Sequence, residues 1–73
     1  MRLSDTATDS FSAVKKINGD AHFMKRITSI GITEGSSLQT VKNDPKMPLL
    51  IYSRETLIAL NRSDAEKVEV AAL

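Results

Sequence analysis

The sequence predicts an all-β protein, a small barrel of about five strands with one short helix inserted after the first strand. Three observations lead there. Short β-prone runs recur along the chain, each closed by turn residues. Only one stretch keeps a helical period, and it lasts about two turns. The chain has 73 residues, enough for one domain spanning 1–73. An open sheet of that size would leave edges that closure into a barrel removes.

The elements follow in order. Phe11 to Ile17 reads as a strand with a ragged period, ended by Asn18-Gly19-Asp20, where Asn and Gly tolerate positive φ. Asp20 is placed to cap the helix that follows, from about His22 to Ile30. Phe23, Ile27 and Ile30 fall at i, i+4 and i+7 and form its core stripe; Met24 flanks the stripe, and Lys25 and Arg26 take the solvated side. Gly31 stands where a left-handed residue would end the helix. Two turns do not hold alone, so the helix must dock on a sheet. Thr33-Glu34-Gly35-Ser36 makes a tight turn with Gly35 at positive φ, and Ser37 to Asn43 is the next strand. Asp44-Pro45-Lys46-Met47-Pro48 is a loop, because proline removes donors and restricts its neighbours. Leu49 to Ser53 is the most β-prone run; Arg54-Glu55 connects it to a strand from Thr56 to Asn61. Ser63-Asp64-Ala65-Glu66 has capping-box spacing for one helical turn, and Lys67 to Val70 alternates as a last strand. Five such strands with a helix after the first describe an SH3-like barrel.

Composition then removes most kinds of chemistry. Ten basic and nine acidic residues leave a net charge of +1, too little to steer the chain strongly to nucleic acid or an anionic membrane. There is no cysteine and one histidine, His22, so no zinc site of nitrogen and sulfur ligands can form within one copy. No acidic calcium loop is present either. His22 is most simply a polar residue at the helix start. The serines have no nucleophile elbow around them. The acid pairs Asp5/Asp9 and Asp64/Glu66 lie in polar segments that would not split their pKa values. The expectation is a protein without catalytic residues, metal site or cofactor. No secretory leader is evident, and the longest apolar run, Leu49 to Tyr52, is far short of the roughly 20 residues a membrane helix needs, so a cytoplasmic location is expected.

Binding remains. Phe11 and Phe23 read as core, which leaves Tyr52 as the one aromatic for the surface. Lys15-Lys16 and Lys25-Arg26 could form a basic patch, so a small nucleic-acid-binding barrel is the alternative from another class. Met24 beside Lys25 and Arg26, and Lys46 beside Met47, place apolar groups next to cations, a composition suited to a protein interface.

The order of residues says more. Ile17-Asn18-Gly19-Asp20 is followed by Lys25-Arg26-Ile27-Thr28-Ser29-Ile30-Gly31-Ile32, Thr33-Glu34-Gly35-Ser36, Asp44-Pro45, Pro48-Leu49, Ile58-Ala59-Leu60-Asn61-Arg62 and Glu66-Lys67-Val68-Glu69-Val70. Over essentially its whole length the chain resembles the ferrous iron transport protein A (FeoA) family. It departs from the pattern at three turns: Asp9 and Glu55 stand where the family commonly has glycine, and Glu34 where it commonly has proline.

The resemblance implies an SH3-like accessory protein of bacterial ferrous iron uptake, acting on the cytoplasmic part of the membrane permease FeoB, a GTP-binding protein. It implies a partner surface on the helix from Phe23 to Gly31 and on the Pro45–Pro48 loop, for which the candidate contacts are Met24, Lys25, Arg26, Lys46 and Met47. Such a protein touches the membrane only through its partner. A regulatory reading is also open, because iron-dependent repressors carry a similar SH3-like domain, and open strand edges would suit a homodimer.

Overall fold

The computed structural model describes residues 1–73. Its strands are β1 (Phe11–Ile17), β2 (Ser37–Lys42), β3 (Leu49–Ser53), β4 (Thr56–Leu60) and β5 (Val68–Ala72). They form one antiparallel sheet in the order β4-β3-β2-β1-β5. Helix α1 (Ala21–Ser29) joins β1 to β2, the four-residue α2 (Arg62–Ala65) joins β4 to β5, and a 3-10 turn occupies Leu3–Asp5. The predicted architecture, an all-β barrel with a helix after the first strand, is the one present.

The ragged period of β1 has a cause. A register shift between Val14 and Lys16 lets Ser12, Val14 and Ile17 all face inward, which a regular alternation forbids. The same parity turns Phe11 outward: it is 56% exposed, which corrects the expectation that it belongs to the core. A second shift, between Thr40 and Lys42, bends β2 against β3. Such bulges increase twist and let a five-stranded sheet curl.

Helix α1 opens as expected, with Phe23 N donating to Asp20 Oδ1 at 2.8 Å. It starts and ends one residue earlier than its apolar stripe suggests. Ile30 is the C-cap and is 39% exposed, while Ile32, beyond Gly31, is fully buried and completes the core beside Phe23 and Ile27. Gly31, at φ +101°, supplies the left-handed step that redirects the chain. Gly19 serves differently from its expected role: its φ is not positive, but a Cβ there would overlap the Phe23 ring. The chain needs glycine at this point so that α1 can lie against the end of β1.

The connection Arg54-Glu55 has φ of 51° and 63°, and Ser53 pairs with Thr56 across it. These are the angles of a two-residue type I′ hairpin turn, whose twist matches the flanking strands. The expected capping box at Ser63 is absent. Helix α2 begins at Arg62, Asn61 is its N-cap without a side-chain bond, and Ser63 lies inside the helix. The last strand begins at Val68 and runs on to Ala72, two residues past its expected end.

Strands β4 and β5 do not pair, so hydrogen bonding leaves the barrel open along one seam. The edge of β5 is nevertheless covered. Val70 N donates to Met1 O at 2.7 Å, the Met1 ammonium donates to Val70 O at 2.9 Å, and Arg2 bridges to Glu69. Leu3 then enters the core with no exposed surface, and the buried Thr6 hydroxyl meets that of Thr40 at 2.6 Å. The Ser/Thr-rich opening is therefore part of the packed structure.

Candidate partner interface

Helix α1 shares its residues between core and surface. Phe23 and Ile27 point inward; Met24 is half-buried and packs against the core; Lys25 and Arg26 are exposed. Of these two cations, Arg26 is already engaged. Its Nη2 donates to Asp64 Oδ1 at 3.2 Å, and its guanidinium lies 5.4 Å from the centre of the Phe23 ring. Lys67 Nζ sits 4.7 Å from the same ring, so Phe23 carries two cation–π contacts. Lys25 takes part in no ion pair, which makes it the freest charge on the helix.

The Asp44–Pro48 loop is ordered by its own first residue. Asp44 Oδ1 accepts from Lys46 N at 3.0 Å, and Asp44 O accepts from Met47 N at 3.0 Å, an Asx turn within a backbone turn. Met47 is left 51% exposed at the tip.

Arg62 holds this loop from below. Its Nη1 donates to Asp44 O at 3.0 Å and to Met47 O at 3.1 Å; its Nη2 donates to Asn43 Oδ1 and, at 3.5 Å, to Ser4 O. Asn43 in turn donates to Ser4 O and Thr6 O. A planar guanidinium with five donors suits such a multipoint clasp.

Thus the two sequence-predicted groups, Met24-Lys25-Arg26 and Lys46-Met47, are joined through α2. Asp64 binds α1 and Arg62 binds the loop. Met24 and Arg26 serve the fold as well as the surface, whereas Lys25, Lys46 and Met47 are exposed without such duties. Sequence reasoning quoted Arg62 only within a motif and missed its role, because nothing local signals a bond to a backbone carbonyl 15 to 18 residues earlier.

Four of the nine acidic residues, Asp5, Asp64, Glu66 and Glu69, are in surface ion pairs. Arg2 Nε meets Asp5 Oδ2 at 3.2 Å and Arg2 Nη1 lies 4.0 Å from Glu66, while the chain's ammonium meets Glu69 at 3.1 Å. The hydrogen bond to Asp5, then its charge, raises the Arg2 pKa above the ordinary arginine value. No group of three or more His, Asp or Glu side chains converges. No helix is long and apolar enough to cross a membrane.

The outer sheet face was missed too. Phe11 pairs with Gln39, Gln39 with Tyr52, and Tyr52 with Leu57, so one row crosses four strands. Phe11, Tyr52 and Leu57 are 56%, 43% and 58% exposed.

Comparison with known proteins places this geometry. The FeoA domain model matches residues 1–72. The chain is 31% identical over 71 residues to an Fe(2+) transport protein A/Fe(2+) transporter FeoB fusion protein of Porphyromonas gingivalis, an alignment covering 96% of this chain and 8% of that protein. It is 37% identical over 57 residues to a candidate Fe(2+) transport protein A of Methanocaldococcus jannaschii, covering 78% of this chain and 68% of that one. In three dimensions it resembles the zinc-complexed FeoA of Stenotrophomonas maltophilia, described as a procaryotic SH3 domain protein, with a TM-score of 0.83 at 25% identity, covering 97% of this chain and 89% of that one. A match running from the first residue to the penultimate one leaves no part of the fold outside the family: the chain belongs to the FeoA domain family.

Proposed function

We propose that this chain is an accessory protein of bacterial ferrous iron uptake, acting in the cytoplasm by binding the cytoplasmic part of a FeoB-like GTP-binding permease. It acts as an adaptor without catalysis of its own. The observation that carries the reading is the fusion relative, in which a segment 31% identical to this chain is part of the same polypeptide as FeoB. Two domains translated as one chain are held at a high effective concentration, an arrangement suited to partners that work in contact.

The contact surface is assigned to Lys25 on α1 and to Lys46 and Met47 on the loop, with Met24 and Arg26 beside them. Lys25 and Lys46 are exposed cations outside the ion pairs of the fold, and Met47 is an exposed, adaptable apolar group next to Lys46. The Arg62 bonds to the loop and the Asp20 cap and Asp64 bond on α1 hold both segments in place, which lowers the ordering cost of binding.

Calorimetric titration of the chain into the cytoplasmic portion of a FeoB-like permease from the same organism tests this. Saturable binding is expected, weakened about tenfold by the double substitution Lys25→Glu and Lys46→Glu. Ferrous iron uptake is expected to fall when the gene is deleted. No heat of binding together with unchanged uptake overturns the reading; binding that ignores the two charge reversals moves the surface elsewhere.

A further inference from the structure

Asn18 and Gly19 join the end of β1 to α1, and both are exposed. The residues on either side are held. Asn18 N donates to Lys67 O at 2.7 Å, while Asp20 accepts from Phe23 N through Oδ1 and from Met24 N through its carbonyl at 2.9 Å. Between these anchors, the Gly19 N–H and the Asn18 side-chain amide have no hydrogen-bond partner in the chain.

Those two groups are the reactants of one covalent step. A backbone nitrogen that sheds its proton attacks the side-chain carbon of a preceding asparagine when nothing screens it. Glycine, which lacks a β-carbon, leaves that approach open.

The other two asparagines are better protected. Asn43 donates through Nδ2 to Ser4 O at 3.1 Å and to Thr6 O at 2.6 Å, and its Oδ1 accepts from Arg62. Attack at Asn43 must first break those bonds. Asn61 is exposed, but it precedes Arg62, whose β-carbon screens the amide and whose guanidinium is pinned to the loop. Asn18 has neither defence.

Packing explains why the vulnerable glycine stands there. A Cβ on Gly19 would overlap the Phe23 ring, so residue 19 cannot carry the side chain that would screen its own nitrogen. The fit that seats α1 against β1 leaves the link between them open to chemistry.

We propose that Asn18 is a spontaneous modification site, converted in the folded protein to aspartate and isoaspartate by attack of the Gly19 amide. The Gly19 nitrogen loses its proton and bonds to Asn18 Cγ. The Cγ–Nδ2 bond breaks and ammonia leaves, closing a five-membered imide. Water then opens the ring at either carbonyl. Opening at Cγ gives aspartate; opening at the main-chain carbonyl gives isoaspartate, whose backbone runs through Cβ and Cγ and is one carbon longer. Water is the only co-reactant.

The two products differ in consequence. Aspartate changes the charge of an exposed side chain that had no partner. Isoaspartate lengthens the main chain between the Lys67 bond and the Asp20 cap, where the Phe23 ring leaves no slack. Close packing cannot absorb the extra atom, so α1, with its buried Phe23 and Ile27, shifts from its seat. An aged chain is thus marked by a loosened α1. The inference concerns the chemistry of this link and does not depend on the permease reading.

The test ages the full chain at neutral and mildly alkaline pH, in buffer and in urea, then digests it with trypsin. The peptide of residues 17–25 is expected to gain about 1 Da and to separate into two chromatographic forms. Conversion is expected to quicken with hydroxide. It should run within about tenfold of the rate in urea, because the reacting groups need no opening of the fold. It should exceed conversion of Asn43 by about tenfold or more, since that side chain must first give up its bonds. Asn18→Ser is expected to abolish the mass gain. In the isoaspartate fraction the Phe23 and Ile27 amides should exchange faster than in the parent, whereas Asn18→Asp keeps the parent's protection. Three results overturn the proposal: a native chain that stays intact while the urea-treated chain converts, Asn43 converting as fast as Asn18, or an isoaspartate fraction whose Phe23 and Ile27 exchange matches that of Asn18→Asp.

Discussion

Glu55 sits at φ 63°, in the left-handed region that costs an ordinary residue roughly 1–2 kcal/mol. It is the second central residue of a type I′ turn, the position most strongly given to glycine. Replacing Glu55 by glycine relieves the steric cost and restores about 0.5–1 kcal/mol of chain entropy to the unfolded state. The steric term wins, so Glu55→Gly is expected to stabilise the protein by about 0.5–1 kcal/mol. In a domain of this size that raises the thermal midpoint by roughly 2–8 °C, which calorimetry reads directly. An unchanged or lowered midpoint would show that the turn is not strained. Asp9, at φ 66°, is the parallel case with a smaller gain, because aspartate tolerates this conformation better. Both are positions where the resemblance noted in the sequence implies glycine, and both take positive φ.

At the scale of elements, α2 is small but holds two others in place. Arg62 donates to four acceptors on the loop, on Asn43 and on the first turn of the chain, while Asp64 receives Arg26 from α1. Arg62→Ala leaves Asp44 O and Met47 O without that partner and is expected to cost about 2–4 kcal/mol, since hydrogen bonds to charged groups are each worth about 1.5–3 kcal/mol and these are partly wet. Arg62→Lys recovers less than half of that, because an ammonium cannot span the carbonyls as a planar fork does. Urea unfolding gives the energies, and amide exchange locates them: Met47 N should lose protection while the β3 ladder keeps its own. The same element marks how far sequence reading reaches. Local signals worked where the chemistry was local, as at the Asp20 cap, Gly31, the Arg54-Glu55 turn and the Pro45–Pro48 loop. They failed at Phe11, where one bulge reversed the parity of the strand start, and at Ile30, where the helix ended before its apolar stripe did. The Arg62 clasp and the Phe11–Tyr52–Leu57 row were illegible because each depends on which distant segments the barrel brings side by side.

For the whole molecule, stability at this length is about 4–11 kcal/mol, so few contacts are expendable. The opening residues are among those that matter. Leu3 is fully buried, Thr6 is hydrogen-bonded to Thr40 inside, Asn43 reaches Ser4 O and Thr6 O, and Met1 covers the edge of β5. These residues bridge β5, β2 and α2, elements that the sheet order itself keeps apart. Their apolar anchor, Leu3, is the one large side chain among them that is buried. Leu3→Ala removes three carbons from a packed site and opens a cavity, at a cost of about 2–4 kcal/mol. Against so small a total this is roughly a fifth of the stability or more. The variant is expected to melt about 8 °C or more below the parent, at roughly 4–8 °C per kcal/mol, and to lose exchange protection first at Val70, whose amide depends on Met1. A loss under about 1 kcal/mol would mean that the first turn lies on a barrel that closes without it. The predicted loss instead makes the opening segment the latch of the open seam, and a partner that pulled on it would loosen the whole domain at once.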